Sequence, residues 1–116
     1  MSKIQRYFGY FAIFFLIFNL PYPATAQVKD DVVRIGLHGP FTGPVAYSGE
    51  LMKKGFLLAV EEINHAGGVK IAGKMLKIKA FVEDDRATPA EGVAVTEKLI
   101  TRDQVHATVG PFNSSV

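Results

Sequence analysis

Three short apolar runs alternate with two segments of helical periodicity, and this alternation constrains the fold more than any other feature. The runs occupy residues 32–37, 75–83 and 105–109. Each is bounded by charge, glycine or proline, as is typical of β-strands. Strands joined through a helix normally lie parallel in one sheet, because the crossover is right-handed. The sequence therefore predicts an α/β fold of β-α-β-α-β order, with a parallel sheet and helices on both of its faces.

The two helices have recognisable ends. The first is predicted from Glu50 to the Gly67-Gly68 pair, because glycine accepts the left-handed conformation that closes many helices. The second is predicted to begin at Thr88-Pro89-Ala90-Glu91, a capping box with proline at the first helical position, and to end near Asp103. Its packing face should consist of Gly92, Val95, Thr96 and Leu99.

The middle strand alternates apolar residues with Lys77 and Lys79. This pattern predicts a strand that is half exposed and lies at an edge of the sheet. Gly73, just before the strand, is predicted to form a hairpin-like turn.

The first 26 residues have the organisation of a secretory signal. Lys3 and Arg6 precede an apolar run of 13 residues, 8–20. A transmembrane helix needs about 20 apolar residues, whereas the core of a signal needs about 7–15. Ala24-Thr25-Ala26 supplies a small-residue cleavage site. We therefore expect a signal peptide at 1–26, cleavage before Gln27 and a periplasmic chain of residues 27–116 that does not insert into the membrane. The alternative is an uncleaved N-terminal anchor.

Removal of the signal would leave balanced charge, with 11 basic and 11 acidic residues in 27–116. Such a chain has no basic excess to attract nucleic acid or an anionic membrane. It contains no cysteine, which excludes a disulfide scaffold, a cysteine zinc site and a lipid anchor.

Two glycine motifs fail as nucleotide sites. Residues 68–74 match the first part of a P-loop, but Met75 stands where Ser or Thr binds magnesium, and the segment leads into a strand. The glycines at 36, 39 and 43 miss the G-x-G-x-x-G spacing. A Rossmann-type enzyme is therefore disfavoured, and we expect no cofactor.

An acidic cluster, residues 83–85, follows the middle strand. A solvated acidic turn before the second helix explains it without a ligand, and the three histidines are not spaced as a ligand set. No nucleophile-elbow or zincin motif is present. We therefore expect no metal and no enzymatic activity.

The predicted ligand site lies at the carboxyl ends of the first and third strands. These strands should be neighbours with their helices on opposite faces, and open parallel sheets bind ligands at such a switch point. The two loops are residues 39–49 and 110–115. Ser114 and Ser115 would offer hydroxyls and free amide N–H groups to an anion, a carboxylate above all. Local sequence alone equally allows a simple helix cap.

A series of short motifs covers nearly all of residues 32–116. They are Val33-Arg-Ile-Gly-Leu, Gly39-Pro-Phe-Thr-Gly-Pro-Val-Ala, Gly49-Glu, Gly55, Ala59-Val-Glu-Glu-Ile-Asn64, Gly67-Gly68, Asp84-Asp85 and Val109-Gly110-Pro-Phe-Asn-Ser-Ser. In order and spacing they resemble the N-terminal lobe of the periplasmic leucine/isoleucine/valine-binding proteins of ABC importers. The resemblance implies an incomplete N-terminal lobe of a two-lobed periplasmic-binding-protein fold I that closes around an amino acid or a related small carboxylate.

The resemblance also implies site residues and partners. In that family the residue matching Ser114 holds the ligand carboxylate, and the loop matching Tyr47 and Ser48 approaches its side chain. With Asn113 and Ser115, these residues form the predicted ligand-binding set. An ABC permease would be the partner of a full-length relative, and the protein should be monomeric. A ligand-sensing domain of the same fold is the alternative, and neighbouring permease and ATPase genes would favour transport.

Two departures from the family pattern bear on the ligand. The leucine-type proteins have a large aromatic residue at the position of Ser48, so amino acids other than the branched-chain ones, amides and small carboxylates stay open. Some members carry cysteines at the positions of Ala87 and Asn113, and both are absent here.

Overall fold

The computed structural model describes residues 31–116, which form a four-stranded sheet with two helices. The predicted signal peptide lies outside the described residues. The elements are β1 (Val32–Gly39), α1 (Ala46–His65), β2 (Val69–Ile71), β3 (Lys74–Asp84), α2 (Pro89–Thr101) and β4 (Ala107–Val109). The strand order is β2-β3-β1-β4. β1 pairs in parallel with β3 and β4, and β2 pairs antiparallel with β3. The predicted α/β class is confirmed, and the sheet is mixed because of β2.

The β2–β3 hairpin corrects one expectation about the sheet. The predicted turn at Gly73 is present, with positive φ at both Ala72 (48°) and Gly73 (83°), as two-residue hairpin turns require. Strand β2 itself was not predicted, because three residues carry too short a pattern. Its pairing with residues 74–76 means that this end of β3 does not lie at a sheet edge. In the described residues, residues 77–84 pair with β1 alone, so the prediction of an edge strand is confirmed for that part of β3. The expected half exposure of β3 is confirmed, since Leu76 and Ile78 are buried and Lys77 and Lys79 are exposed.

The helices cover opposite faces of the sheet, as predicted. A Cβ at Gly36 would lie 2.9 Å from Cδ1 of Leu99 in α2, and a Cβ at Gly39 would collide with Cε of Met52 in α1. Residues 36 and 39 point to opposite faces, because successive strand side chains alternate. Strand β1 thus packs against α2 at Gly36 and against α1 at Gly39, because a larger residue at either position would collide with the helix.

Helix α1 begins at Ala46, four residues before the predicted start at Glu50. No side chain caps it at Val45, so the sequence lacks the usual start signal. Backbone contacts supply the start: the Ala46 N–H donates to the Gly43 carbonyl at 3.2 Å, and Gly49 lies so close to the Pro40 carbonyl that a Cβ would collide with it.

Asn64 attaches the other end of α1 to β3. Its Nδ2 donates to the Ile78 carbonyl at 2.8 Å, and its Oδ1 accepts from the Ile78 N–H at 2.7 Å. The side chain thus satisfies both backbone groups of one β3 residue on the side away from β1.

Helix α2 follows its prediction closely. Thr88 Oγ1 accepts from the Glu91 N–H at 3.4 Å, and Pro89 opens the helix. Gly92, Val95 and Leu99 are buried and Thr96 is half-buried. With Leu37, Leu76 and Ile78, the two apolar side chains Val95 and Leu99 form the core. Strand β4 starts at Ala107, two residues later than predicted. Within residues 31–116 no helix is long and apolar enough to cross a membrane.

Candidate functional site

The carboxyl ends of three parallel strands meet at one edge of the sheet. β1 ends at Gly39, β3 at Asp84 and β4 at Val109. The pairing of Leu37 with Val109 makes β1 and β4 neighbours, as the predicted switch point requires. The loops after β1 and β4, which sequence patterns indicated as the ligand loops, therefore leave the sheet side by side.

Asp84 organises the loop after β1. Its Oδ1 accepts from the Phe41 N–H at 2.9 Å and from the Arg86 N–H at 3.0 Å, and its Oδ2 accepts from the Thr42 hydroxyl at 2.5 Å. Desolvation by burial works against the charged carboxylate, but the hydrogen bonds from Thr42, Arg86 and Phe41 outweigh it and lower the pKa of Asp84 below its usual value. An ionised Asp84 thus holds the start of the loop on the end of β3.

Asp85 lies beneath the same edge and is completely buried. Its Oδ2 lies 3.1 Å from Nδ1 of His38, which is 5 % exposed, and its Oδ1 accepts from the Ala87 N–H at 2.9 Å. The expectation of a solvated acidic turn is therefore wrong for this residue. Sequence patterns could not indicate the pairing, because 47 positions separate His38 from Asp85.

The third member of the acidic cluster, Glu83, forms an ion pair with Lys98 of α2. All three carboxylates thus have protein partners. In the part of the chain that the structure describes, no group of three or more His, Cys, Asp or Glu side chains could hold a metal ion.

Gly110 brings the end of β4 against the end of β1. Its φ is 124°, and a Cβ there would collide with the His38 carbonyl oxygen and lie 3.1 Å from Cδ2 of the His38 ring. Only glycine combines that dihedral angle with so close an approach. The loop that carries Ser114 and Ser115 therefore begins at a glycine that packs against His38.

The predicted site residues fall into two groups at this edge. Tyr47, 80 % exposed, and Ser48 lie in the first turn of α1 rather than in the loop before it. Asn113 is half-buried, and Ser114 and Ser115 are exposed in a turn that the Val116 N–H closes on the Asn113 carbonyl at 3.1 Å. In the described residues no hydrogen bond joins the two groups. The structure thus places both groups at the end of the sheet where the parallel strands finish.

An open groove of about 640 Å³ lies between α2 and β4. Its lining is mainly aliphatic and threonine side chains, and it includes the His38 ring, Gly110 and Val116. Ser114 and Ser115 do not line it. Because neither serine of the predicted site lines it, the groove is distinct from the predicted ligand site.

Comparison with known proteins identifies the family. Residues 32–116 match the family model described as periplasmic binding protein. The chain belongs to the periplasmic binding protein family. The family match covers all the strands and helices described above, and it confirms the resemblance drawn from the motifs.

Among curated relatives, the leucine-, isoleucine-, valine-, threonine- and alanine-binding protein of Pseudomonas aeruginosa is 39 % identical over 92 residues, which cover 79 % of this chain and 23 % of that protein. An amino acid binding protein of the same organism is 45 % identical over 85 residues, which cover 73 % of this chain and 21 % of that protein. The chain therefore spans about a quarter of the length of these relatives.

Solved structures give the same result for the fold. The substrate-binding protein LivJ of the Streptococcus pneumoniae branched-chain amino acid transporter, in complex with isoleucine, is 40 % identical. The match has a TM-score of 0.62 and covers 69 % of this chain and 22 % of LivJ. An ABC-transporter solute binding protein from Rhodopseudomonas palustris, in complex with 3,4-dihydroxybenzoic acid, is 30 % identical. Here the TM-score is 0.57, with 68 % of this chain and 20 % of that protein covered.

Proposed function

We propose that this chain supplies the N-terminal lobe of an exported solute receptor, which binds an amino acid or a related small carboxylate and delivers it to an ABC permease. One observation carries the proposal. The two similar structures hold isoleucine and 3,4-dihydroxybenzoic acid, which share a carboxyl group and little else. In this chain, Ser114 and Ser115 are exposed in the segment after β4, the strand that neighbours β1.

Ser114 would hold the carboxylate. Its hydroxyl and the amide N–H groups of Ser114 and Ser115 are donors suited to an anion, and both residues are exposed at the carboxyl edge of the sheet. Asn113 would support this turn through the hydrogen bond between its carbonyl and the Val116 N–H.

The first turn of α1 would shape the side-chain end of the pocket. Tyr47 contributes an exposed ring and a phenolic hydroxyl, and Ser48 is small and polar. Together they leave more room than a large aromatic residue at position 48 would. The proposed ligand is an amino acid of the branched-chain type or a related small carboxylate, and Ser48 leaves other amino acids and amides open.

The mechanism would be hinge closure of two lobes around the ligand, with contacts from the second lobe stabilising the closed state. The protein would act as a monomer without cofactor and catalyse no reaction. Asp84 holds the loop after β1 before the ligand arrives, which reduces the entropy cost of binding.

Calorimetry on the complete product of the gene tests the role of Ser114. The titrants are branched-chain and polar amino acids and hydroxylated benzoates. Ser114→Ala should weaken every ligand that binds by about tenfold or more, since it removes one hydrogen bond to a charged group. Thr101→Ala is the matched control, because its hydroxyl is bonded within α2 to the Glu97 carbonyl at 2.7 Å, at the helix end away from this edge. Unchanged affinity in Ser114→Ala for all ligands contradicts the role.

Export through a cleaved signal is part of the proposal. Mass spectrometry of the protein from the periplasm should find an N-terminus at Gln27. Replacing Ala24 and Ala26 with bulky residues should leave the precursor uncleaved, because the cleavage site requires small residues. An exported wild-type protein that begins at Met1 would show instead that the apolar segment is an anchor.

A further inference from the structure

A buried histidine and a buried aspartate form a pair that the proposed ligand contacts do not include. His38 is 5 % exposed and Asp85 is not exposed at all. A carboxylate in such a place is costly unless hydrogen bonds satisfy it. Asp85 receives two such bonds, from His38 Nδ1 at 3.1 Å and from the Ala87 N–H at 2.9 Å.

The pair connects all three loops at the carboxyl edge. His38 is the penultimate residue of β1, and Asp85 directly follows β3. The Asp85 N–H donates to the Gly39 carbonyl at 3.0 Å, and the Asp85 carbonyl accepts from the Thr88 N–H at 2.9 Å. On the other side of the ring, His38 Cδ2 faces Gly110 and lies 3.1 Å from the position that a Cβ at Gly110 would take.

The His38 ring is therefore held between Asp85 and Gly110. The hydrogen bond at Nδ1 determines which way the ring points, and the ring borders the groove between α2 and β4, which has room for another rotamer. Gly110 begins the segment that reaches Ser114 four residues later. If the His38 ring turned into the groove, residues 110–115 would lose its packing against Gly110.

We propose that Asp85 and His38 are positioning residues for the carboxylate-binding loop, residues 110–115. Asp85 orients the His38 ring through Nδ1, and the ring supports Gly110 so that the Ser114 hydroxyl and the serine amides keep one geometry. The inference rests on the proposed function only for its effect on ligand affinity. Its effect on the order of the loop can be measured without a ligand.

Two substitutions at His38 separate hydrogen bonding from packing. Asparagine and leucine both branch at Cγ, so each places atoms near the positions of Nδ1 and Cδ2. Asparagine keeps a donor for Asp85, whereas leucine fills similar space with no donor. A residue that matters only for packing would tolerate leucine at least as well as asparagine.

The first measurement is amide hydrogen exchange without ligand, on the complete gene product. In His38→Leu, the amides of Gly110 and of residues 112–116 should exchange about tenfold faster than in the wild type, since the loop opens locally more often. His38→Asn should stay close to the wild type, and both variants should keep slow exchange in β1 and β3.

A substitution in the neighbouring loop after β1 tests whether changes in exchange stay confined to the loop that is altered. Thr42→Val removes the hydroxyl that donates to Asp84. It should speed amide exchange at residues 41–43 and 45 and leave exchange in residues 110–116 unchanged. Asp85→Asn provides a second variant if His38→Leu does not fold. In Asp85→Asn one of the two oxygens that face His38 and the Ala87 N–H becomes an amide Nδ2, which can bond to His38 only after the ring changes tautomer. Loosening of residues 110–116 between that of the wild type and that of His38→Leu is expected.

The second measurement is affinity. His38→Leu should weaken all ligands of the wild type by a similar factor, about tenfold, because they share the carboxylate and not the side chain. His38→Asn should restore most of the affinity. Equal behaviour of the two His38 variants, in exchange and in affinity, would overturn the inference. A wild type that binds no titrant would contradict the proposed function, and the exchange comparison would still decide the inference.

Discussion

At the residue scale, two consecutive aspartates at the carboxyl edge of the sheet form hydrogen bonds to different parts of the protein. Asp84 points to the loop after β1, where it accepts from Phe41 and Thr42. Asp85 points into the protein, where it meets His38. Consecutive residues at a strand end project to opposite sides, so the pair serves two loops at once. The sequence shows an acidic cluster, but the contacts of its two aspartates with Thr42, Phe41 and His38 join residues 42, 43 and 47 positions apart.

The lowered pKa of Asp84 gives a pH-dependent prediction. A carboxyl whose pKa is lower in the folded state stabilises the fold above its unfolded value, here 3.8, and this contribution is lost as the pH falls through the lower folded value. At pH 7 we expect Asp84→Asn to reduce the free energy of unfolding by about 1 kcal/mol. The difference from the wild type should shrink as the pH falls below 3.8.

Urea unfolding of the complete gene product at pH 7 and near pH 3 measures this effect. Asp31→Asn, at an exposed residue just before β1, is the control. A difference between Asp84→Asn and wild type that is equally large at both pH values would show that the charge of Asp84 is not responsible.

At the element scale, local patterns predicted the helices and strands with strong end signals. The capping box placed the start of α2, and Gly67-Gly68 placed the end of α1, because these signals act within a few residues. The start of α1 was missed because backbone contacts with Gly43 and Pro40 replace a capping side chain. As a result, Tyr47 and Ser48 lie on a helical turn, where the positions of their side chains are more restricted than in a loop.

Asn64 gives the prediction at this scale. Asn64→Ala would leave the N–H and C=O groups of Ile78 without the side-chain partners they have now. We expect a loss of about 2 kcal/mol in the free energy of unfolding, for two part-buried hydrogen bonds. Asn64→Asp keeps an acceptor for the Ile78 N–H and should lose about half as much. Denaturant titration measures both, and equal stability of Asn64→Ala and wild type would contradict the attachment of α1 to β3 by this residue.

At the scale of the whole molecule, much apolar surface remains uncovered in the described residues. Strand β4 is exposed along its length, and on the same side of the sheet Val93 is 68 % exposed and Ile100 58 % exposed. Parallel strands are normally covered on both faces. The family match and the short share of each relative's length agree with a lobe that other parts of a longer relative would complete.

A polypeptide of residues 27–116 made alone tests this. It should be marginally stable, associate at micromolar concentration and bind no ligand tightly, because a single β-α-β-β-α-β unit buries too small a core. Calorimetric melting and light scattering are the measurements. A cooperative thermal transition together with micromolar ligand binding would contradict the prediction.

The sequence by itself determined the α/β class, the order of the main elements and the loops that carry the predicted site. Helix caps, glycine breaks and apolar alternation depend only on residues that are close together in the sequence. Only the tertiary structure decided the pairing of β2, the early start of α1 and the burial of Asp85 against His38. Each of these depends on backbone or side-chain groups that are distant along the chain or carry no periodic signal, and that meet only when the sheet and its helices pack together.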